Sequence, residues 1–478
     1  MEDNTFTMHV PGKGLTRVSI HTSQIEEKTK AIRALYTLLT SIPSAWAPFF
    51  EATWTALDPL LNYIYHADIR TTAAQSVAAL IEAGLLSGQN AVWSLYPRAA
   101  VTVSKQLTNE ANAEAEDLYA LADSLSEMLY SVFSRKNEHQ TELLQNYTTQ
   151  VADQVVLYCG QALQKCLERR TVTAVNISKN SSRDEQAAGH RQLEDEQKLM
   201  TPLVDSIGYS LKILGPSFSS IFEQKVVPLL GPFLQPNVDN RARWSAICLF
   251  DDCVEHCGPQ AASRFAPQLL PSVVSGMDES EVSDLRQVSI YGIAQIARYA
   301  PGAIDSNVAG SIIPALATIA RQPKDSFDNV SIQENAVSAL VSLVLFPDAP
   351  YRGKFVKAET ATKILLENMP LTMDYDEAKI CSTGLCDLVE SAAIPLRDYT
   401  RELVEVIGAT LGEVSKGEEV ATEADCARMS AILMQLQQDG SVKDFQEAFY
   451  NLPLESQAAV QSVMQKYSNG CRRVVVTP

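Results

Sequence analysis

Residues 243–259 read RWSAICLFDDCVEHCGP, and residues 376–391 read DEAKICSTGLCDLVES. Both open on a charged or polar head with Arg243 or Lys379, continue as an amphipathic helix, and close on an acidic step near the helix end. Aligning the position after each helix head adds Arg286, Gln333 and Arg428, and the spacings from Arg243 onward are 43, 47, 46 and 49 residues. A helical period at or just above about 40–47 residues is that of HEAT and armadillo units, in which each hairpin buries its apolar face against the next. The pattern predicts an all-α fold: a HEAT-repeat α-solenoid, a right-handed superhelix of antiparallel helix hairpins.

Apolar residues recur at helical spacing outward from these segments, and no Val/Ile/Thr run alternates cleanly enough to propose a sheet. Hairpins are expected at 46–66 with 71–86, 90–107 with 111–134, 139–170 with 192–214, and 219–234 with 239–257. They continue at 262–276 with 281–299, 308–321 with 328–346, 356–369 with 375–392, and 397–415 with 421–438. Residues 25–42 read as the second helix of a hairpin without its first. Turn signals at Pro236-Asn237, Gly258-Pro259 and Pro301-Gly302 fall at the junctions. The organisation expected is an irregular segment 1–24, a HEAT array 25–438, and capping helices with a tail over 439–478. Within the array, residues 171–198 are poor in large apolar side chains and rich in Ser, Asn, Gln and charge, which reads as a mobile loop.

The chain has 478 residues, 46% hydrophobic and 20% charged, with a formal net charge of −18. That charge argues against direct nucleic-acid binding, which needs a surplus of Lys and Arg, and favours basic partners or plain solubility. Nine cysteines at irregular intervals on expected helices suit reduced, packed thiols better than a disulfide framework. The start MEDNTFTMHV lacks the basic and apolar regions of a secretory signal, and no apolar run is long enough to span a bilayer. Cytosol or nucleus is the expected compartment, without membrane insertion.

Neither a GxSxG nor a GxxxxGK[ST] motif occurs. Cys253, His256 and Cys257 stand at i, i+3 and i+4 and offer up to three zinc ligands, but no closing pair follows at a suitable interval. No enzyme activity, catalytic residue, cofactor or metal is therefore expected. The candidate residues are for partner binding. Trp244, Cys248, Asp251 and Glu255 fall at i, i+4, i+7 and i+11, an aromatic head and acidic foot on one stripe, with Asp252 beside them. Thr383, Asp387 and Glu390 repeat the geometry. Two roles remain open for these carboxylates: contact with a basic partner, or bonds to neighbouring turns and to Arg or Lys of the adjacent helix.

Read with SDLRQVSIYGIAQIARYAPG at 283–302, IQENAVSALVSLVLFP at 332–347 and LPLESQAAVQSVM at 452–464, the two opening strings resemble the C-terminal half of an importin-β-type karyopherin, most closely its importin beta-3 branch. The resemblance implies a Ran-regulated nuclear import receptor moving between cytoplasm and nucleus through the nuclear pore. Its inner face would carry basic protein cargo with nuclear localisation signals, and its outer face would meet phenylalanine-glycine nucleoporins. The resemblance places the main Ran GTPase surface in an N-terminal arch outside the matching residues. It also implies a strongly acidic loop where residues 171–198 are mixed in charge. The alternative is a HEAT scaffold or regulatory subunit of a protein phosphatase or kinase complex.

Overall fold

The computed structural model describes residues 4–10, 14–20, 22–63, 66–109, 115–136, 138–179, 182–236, 238–324, 326–439 and 442–467. Residues 468–478 of the expected capping tail lie outside them. The described chain is an α-solenoid of HEAT hairpins, and it divides into two compact units, Met1–Pro232 with His256–Gly258 and Phe233–Glu255 with Pro259–Pro478.

The first unit begins with β1 (Asn4–Val10) and β2 (Gly14–Ile20), paired antiparallel with Asn4 opposite Ile20 and Val10 opposite Gly14. This hairpin corrects the expectation of an irregular segment over 1–24. Helices follow as α1 (Thr22–Ser41), α2 (Phe50–Leu57), α3 (Ala67–Leu86), α4 (Val92–Asn109), α5 (Ala115–Phe133), α6 (Gln140–Asn146), α7 (Thr149–Lys179) and α8 (Arg183–Leu214). Helices α1, α3, α5 and α8 stack as one row, and α2, α4 and α7 cover its other side. A broken helical stretch then runs through α9 (Ser219–Ile221), a π turn at Phe222–Val226 and α10 (Val227–Leu230).

The second unit holds α11 (Asn240–His256), α12 (Pro259–Gly276), α13 (Ser283–Tyr299), α14 (Ser306–Ile319), α15 (Phe327–Val344), α16 (Ala358–Asn368), α17 (Tyr375–Glu390), α18 (Thr400–Ser415), α19 (Glu423–Asp439), α20 (Val442–Asn451) and α21 (Leu454–Tyr467). Helices α13, α15, α17, α19 and α21 form its continuous row, flanked by α12, α14, α16 and α18. Helix α15 is buried from Ser331 to Val344; small and aliphatic side chains fill its later turns, and the polar Gln333, Glu334 and Asn335 of its earlier ones are hydrogen-bonded to neighbouring backbone. Side-chain caps open α14, α15 and α17. Asp305 accepts from the amides of Asn307 and Val308 at 2.8 and 2.9 Å, and Asp374 does the same for Asp376 and Glu377 at 3.0 and 3.1 Å. At the α11–α12 turn Gly258 takes φ +85°, a left-handed conformation that a side chain would strain, and Pro259 opens the next helix.

Residues 171–198 are also corrected. They extend α7 and α8 into an antiparallel helical arm, and residues 180–181 of the expected loop lie outside the described set. Arg169 pairs bidentately with buried Glu196, one of its bonds measuring 2.8 Å, and Arg170 donates to the Leu193 carbonyl at 2.8 Å. Gly189 lets Ile177 cross so closely that an added Cβ would meet it at 2.5 Å. The seam is polar, which is why its composition resembles a loop.

Four of the five aligned positions, Arg243, Gln333, Lys379 and Arg428, act as ties between elements, whereas Arg286 leaves Nε and Nη2 buried without a hydrogen-bond partner among the described residues. Arg243, 1% exposed, donates to the Ser272 carbonyl at 2.7 Å, to Ser275, and to Glu281 at 2.8 Å. Gln333 donates to the carbonyls of Ala320 and Gln322, Lys379 pairs with Glu419, and Arg428 reaches Asp387 and Glu390. The repeat signal in the sequence is therefore a record of hairpin joints.

Candidate functional site

Helix α11 places the first stripe. Trp244, Cys248, Asp252 and Glu255 are half-buried, whereas Asp251 is 1% exposed. The half-open row thus runs at i, i+4, i+8 and i+11, and Asp251 turns inward beside Gly292, whose missing Cβ leaves room for its Oδ1. That burial removes Asp251 from any partner-facing set. Neither of its oxygens has a hydrogen-bond partner among the described residues. Burial, then the like charges of Asp252 and Glu255, push its carboxyl well above the usual carboxylate range. The Trp244 ring is covered on one face by the Arg241 guanidinium, 3.7 Å from the ring centroid, so a cation already occupies that cation–π position. Glu255 accepts a hydrogen bond from the Tyr291 hydroxyl of α13 at 3.1 Å.

On α17 the second stripe is engaged by α19. Thr383 donates to Asp425 at 3.0 Å. Arg428 binds Glu390 through two bonds of 2.9 and 2.7 Å and reaches one oxygen of Asp387 at 2.5 Å. The bonds to Glu390, ahead of the bond to Asp387, hold the Arg428 guanidinium above its usual range. Thr383, Asp387 and Glu390 all stay half-buried. Arg428, which pairs with two of them, is itself one of the aligned repeat positions, the sequence signal that identifies this joint.

A deeper joint spans three successive helices of the row. Glu377 of α17 is 1% exposed and is bound bidentately by Arg298 of α13, with Nη1 at 2.8 Å, while Ser338 of α15 donates to the same carboxylate. Arg298 also donates to Ser338 and Ser342. Burial opposes the charge on Arg298, and the Glu377 carboxylate beside it outweighs that effect, so its pKa rises.

Sequence reasoning missed a second acidic surface, in the first unit. Tyr119, Asp123, Glu127 and Tyr130 stand at i, i+4, i+8 and i+11 on α5, the same spacing as the α11 row, which is the signal that finds them. Glu82 of α3 and Tyr36 of α1 join Glu127 and Tyr130 around a groove of about 320 Å3. Burial, then Asp123 and Glu82, raise the Glu127 carboxyl above its ordinary value.

Burial pushes the Cys159, Cys381 and Cys386 thiols up to about 12, away from the reactive thiolate. Among the described residues no group of three or more His, Cys, Asp and Glu side chains is placed to hold a metal ion, and no helix is long and apolar enough to cross a membrane.

Stacked hairpins with polar joints define the described chain as a HEAT-repeat α-solenoid. Solved structures of one karyopherin, Kap121p, share the fold. The complex with the SUMO protease Ulp1p matches 97% of this chain and 39% of that one, at 18% identity and a TM-score of 0.68. The complex with RanGTP matches 96% and 39% at 18% identity and TM-score 0.66, and that with Pho4p 98% and 39% at 17% identity and TM-score 0.63. The chain thus spans about two-fifths of the Kap121p chains it matches and shares the helical-repeat fold of that part of them. No protein-family model matches the chain.

Proposed function

We propose that the chain serves an importin-β-type nuclear import receptor of the importin beta-3 branch, and corresponds to the C-terminal half of such a receptor. It would bind protein cargo with Lys/Arg-rich nuclear localisation signals and phenylalanine-glycine nucleoporins, between cytoplasm, nuclear pore and nucleus, with Ran engaged mainly through an N-terminal arch outside the matching residues. The observation that carries this reading is a fold match over 96–98% of the chain to Kap121p, a protein solved in complex with Pho4p, Ulp1p and RanGTP. A formal charge of −18 supports basic rather than acidic partners. The cargo-facing set proposed is Trp244, Asp252, Glu255, Thr383, Asp387 and Glu390, on the half-open sides of α11 and α17. No cofactor is invoked.

The test is direct binding by the 478-residue chain. A fluorescent Lys/Arg-rich localisation peptide should bind in a salt-sensitive way, since exposed ion pairs contribute only about 0.2–1 kcal/mol each and are screened. A phenylalanine-glycine repeat peptide should bind without that salt dependence. Failure of both, with specific capture of a phosphatase or kinase catalytic subunit instead, overturns the proposal.

A further inference from the structure

Asp251 of α11 occupies a closed seat against α12 and α13. Its side chain is 1% exposed, and neither carboxyl oxygen has a hydrogen-bond partner among the described residues. The seat exists because α13 has no side chain there: a Cβ on Gly292 would stand 2.5 Å from Oδ1 of Asp251 and 2.8 Å from Cγ1 of Val273, which forms the α12 wall. The buried guanidiniums of the neighbouring joints are committed elsewhere, Arg243 to Glu281 and Arg298 to Glu377. The charges that act on Asp251 are those of Asp252 and Glu255 on its own helix, both negative. Beside Gly292, α13 presents Tyr291, whose hydroxyl is tied to Glu255.

Such a seat suits a neutral carboxyl and rejects an ionised one. A carboxylate accepts several hydrogen bonds from water, and here it would give them up with no donor or cation in return. Burial, then repulsion from Asp252 and Glu255, both act against the charge. Two equally buried carboxylates of the same unit show the contrast. Glu377 is bound by Arg298 and Ser338, and Glu334 accepts from the amides of Thr372 and Met373. Asp251 has neither kind of support. On ionising it must leave the seat, which parts α11 from the α13 backbone it rests on. Hairpins of a solenoid touch only their neighbours, so one joint can open while the others stay folded.

We propose that the contact of α11 with α13 is a proton-held latch: with Asp251 protonated the two helices close over Gly292, and loss of that one proton opens the joint locally. The solenoid then loosens at this position as pH rises, beside the half-open Asp252 and Glu255. The latch is independent of which partner the molecule binds. Between the ordinary carboxylate range and the folded-state value, opening releases one proton, so its equilibrium constant should rise about tenfold per pH unit.

Hydrogen exchange of the full chain, followed by mass spectrometry from about pH 5 to about pH 8 and corrected for intrinsic exchange, reads that slope. In the wild-type chain, protection of α11 and α13 should fall with pH relative to α19 and α21 of the same sample. Asp251→Asn should hold protection at its acid level throughout, and Asp252→Asn should leave the slope in place. Gly292→Ala fills the seat and should lower protection at every pH and remove the slope. A wild-type chain without the slope overturns the latch with no variant needed. A slope that survives Asp251→Asn or Gly292→Ala, or that is lost with Asp252→Asn, overturns it as well.

Discussion

Asp251 and Asp252 differ by one position and have opposite fates. One is sealed against Gly292 and the other lies half-open on the α11 row. Successive residues on a helix are about 100° apart, and two adjacent aspartates give the periodicity no polar contrast with which to choose between them. The stripe was therefore legible in the sequence and its phase was not. The buried carboxyl has a pH consequence. Folding raises its pKa, so above the ordinary carboxylate value of about 4 the folded chain keeps a proton that the unfolded chain releases. The contribution of this group to stability is full below that pH and declines as pH rises toward the folded-state value. Asp251→Asn removes the titration. Its stability relative to wild type, measured by urea unfolding across the pH range, should increase with pH. A difference that stays flat would mean that the carboxyl ionises normally in the folded chain.

Helices were the most legible elements, because HEAT hairpins repeat their joints as well as their apolar faces. Arg243, Gln333 and Arg428 recur at the repeat spacing because each bonds to a neighbouring turn or helix. Two elements escaped. In β1 the alternation of Phe6, Met8 and Val10 with Thr5, Thr7 and His9 is a strand signal, but it is short and adjoins a long helical array. The arm of α7 and α8 escaped because Arg170, Thr173, Gln186 and Gly189 stand where a stable helical pair carries aliphatic side chains. A seam so polar depends on its ion pair. Glu196→Ala should therefore lower helicity and hydrogen-exchange protection across 171–195 while leaving α5 protected. Unchanged protection would show that the seam holds without it. Glu377 bears more, since it joins α13, α15 and α17 at once. Glu377→Ala strands Arg298 in the interior and should cost about 3–5 kcal/mol in chemical denaturation, with Arg298→Leu added to it recovering part of the loss. If the double variant is no more stable than the single one, Arg298 does not depend on this partner.

A solenoid has no single core to protect, so its surface carboxylates can serve as joints between hairpins, as contacts for a partner, or as both. The candidate site was only half legible for this reason: the sequence marks Asp387 and Glu390 as acidic and outward, but it does not show which cation meets them. In the structure that cation is Arg428, with Asp387 engaged through one oxygen and both residues half-buried. Simple charge reversal, Asp387→Lys with Glu390→Lys, sets two ammonium groups beside a guanidinium and should lower the melting temperature. Lost binding in that variant would therefore say nothing about a partner. Adding Arg428→Glu rebuilds the pairs to positions 387 and 390 with their signs exchanged and should recover most of the melting temperature, short of wild type by the repulsion from buried Asp425, which lies 3.6 Å from Arg428. The local charge of the three residues then changes from net negative to net positive. If a basic segment runs along this face, the triple variant should fold normally and bind a Lys/Arg-rich peptide several-fold less tightly, with the deficit shrinking as salt rises, because exposed pairs of about 0.2–1 kcal/mol are screened. If it folds normally and binds as well as wild type, Asp387 and Glu390 act only as hairpin joints, and the cationic partner is held elsewhere on the molecule.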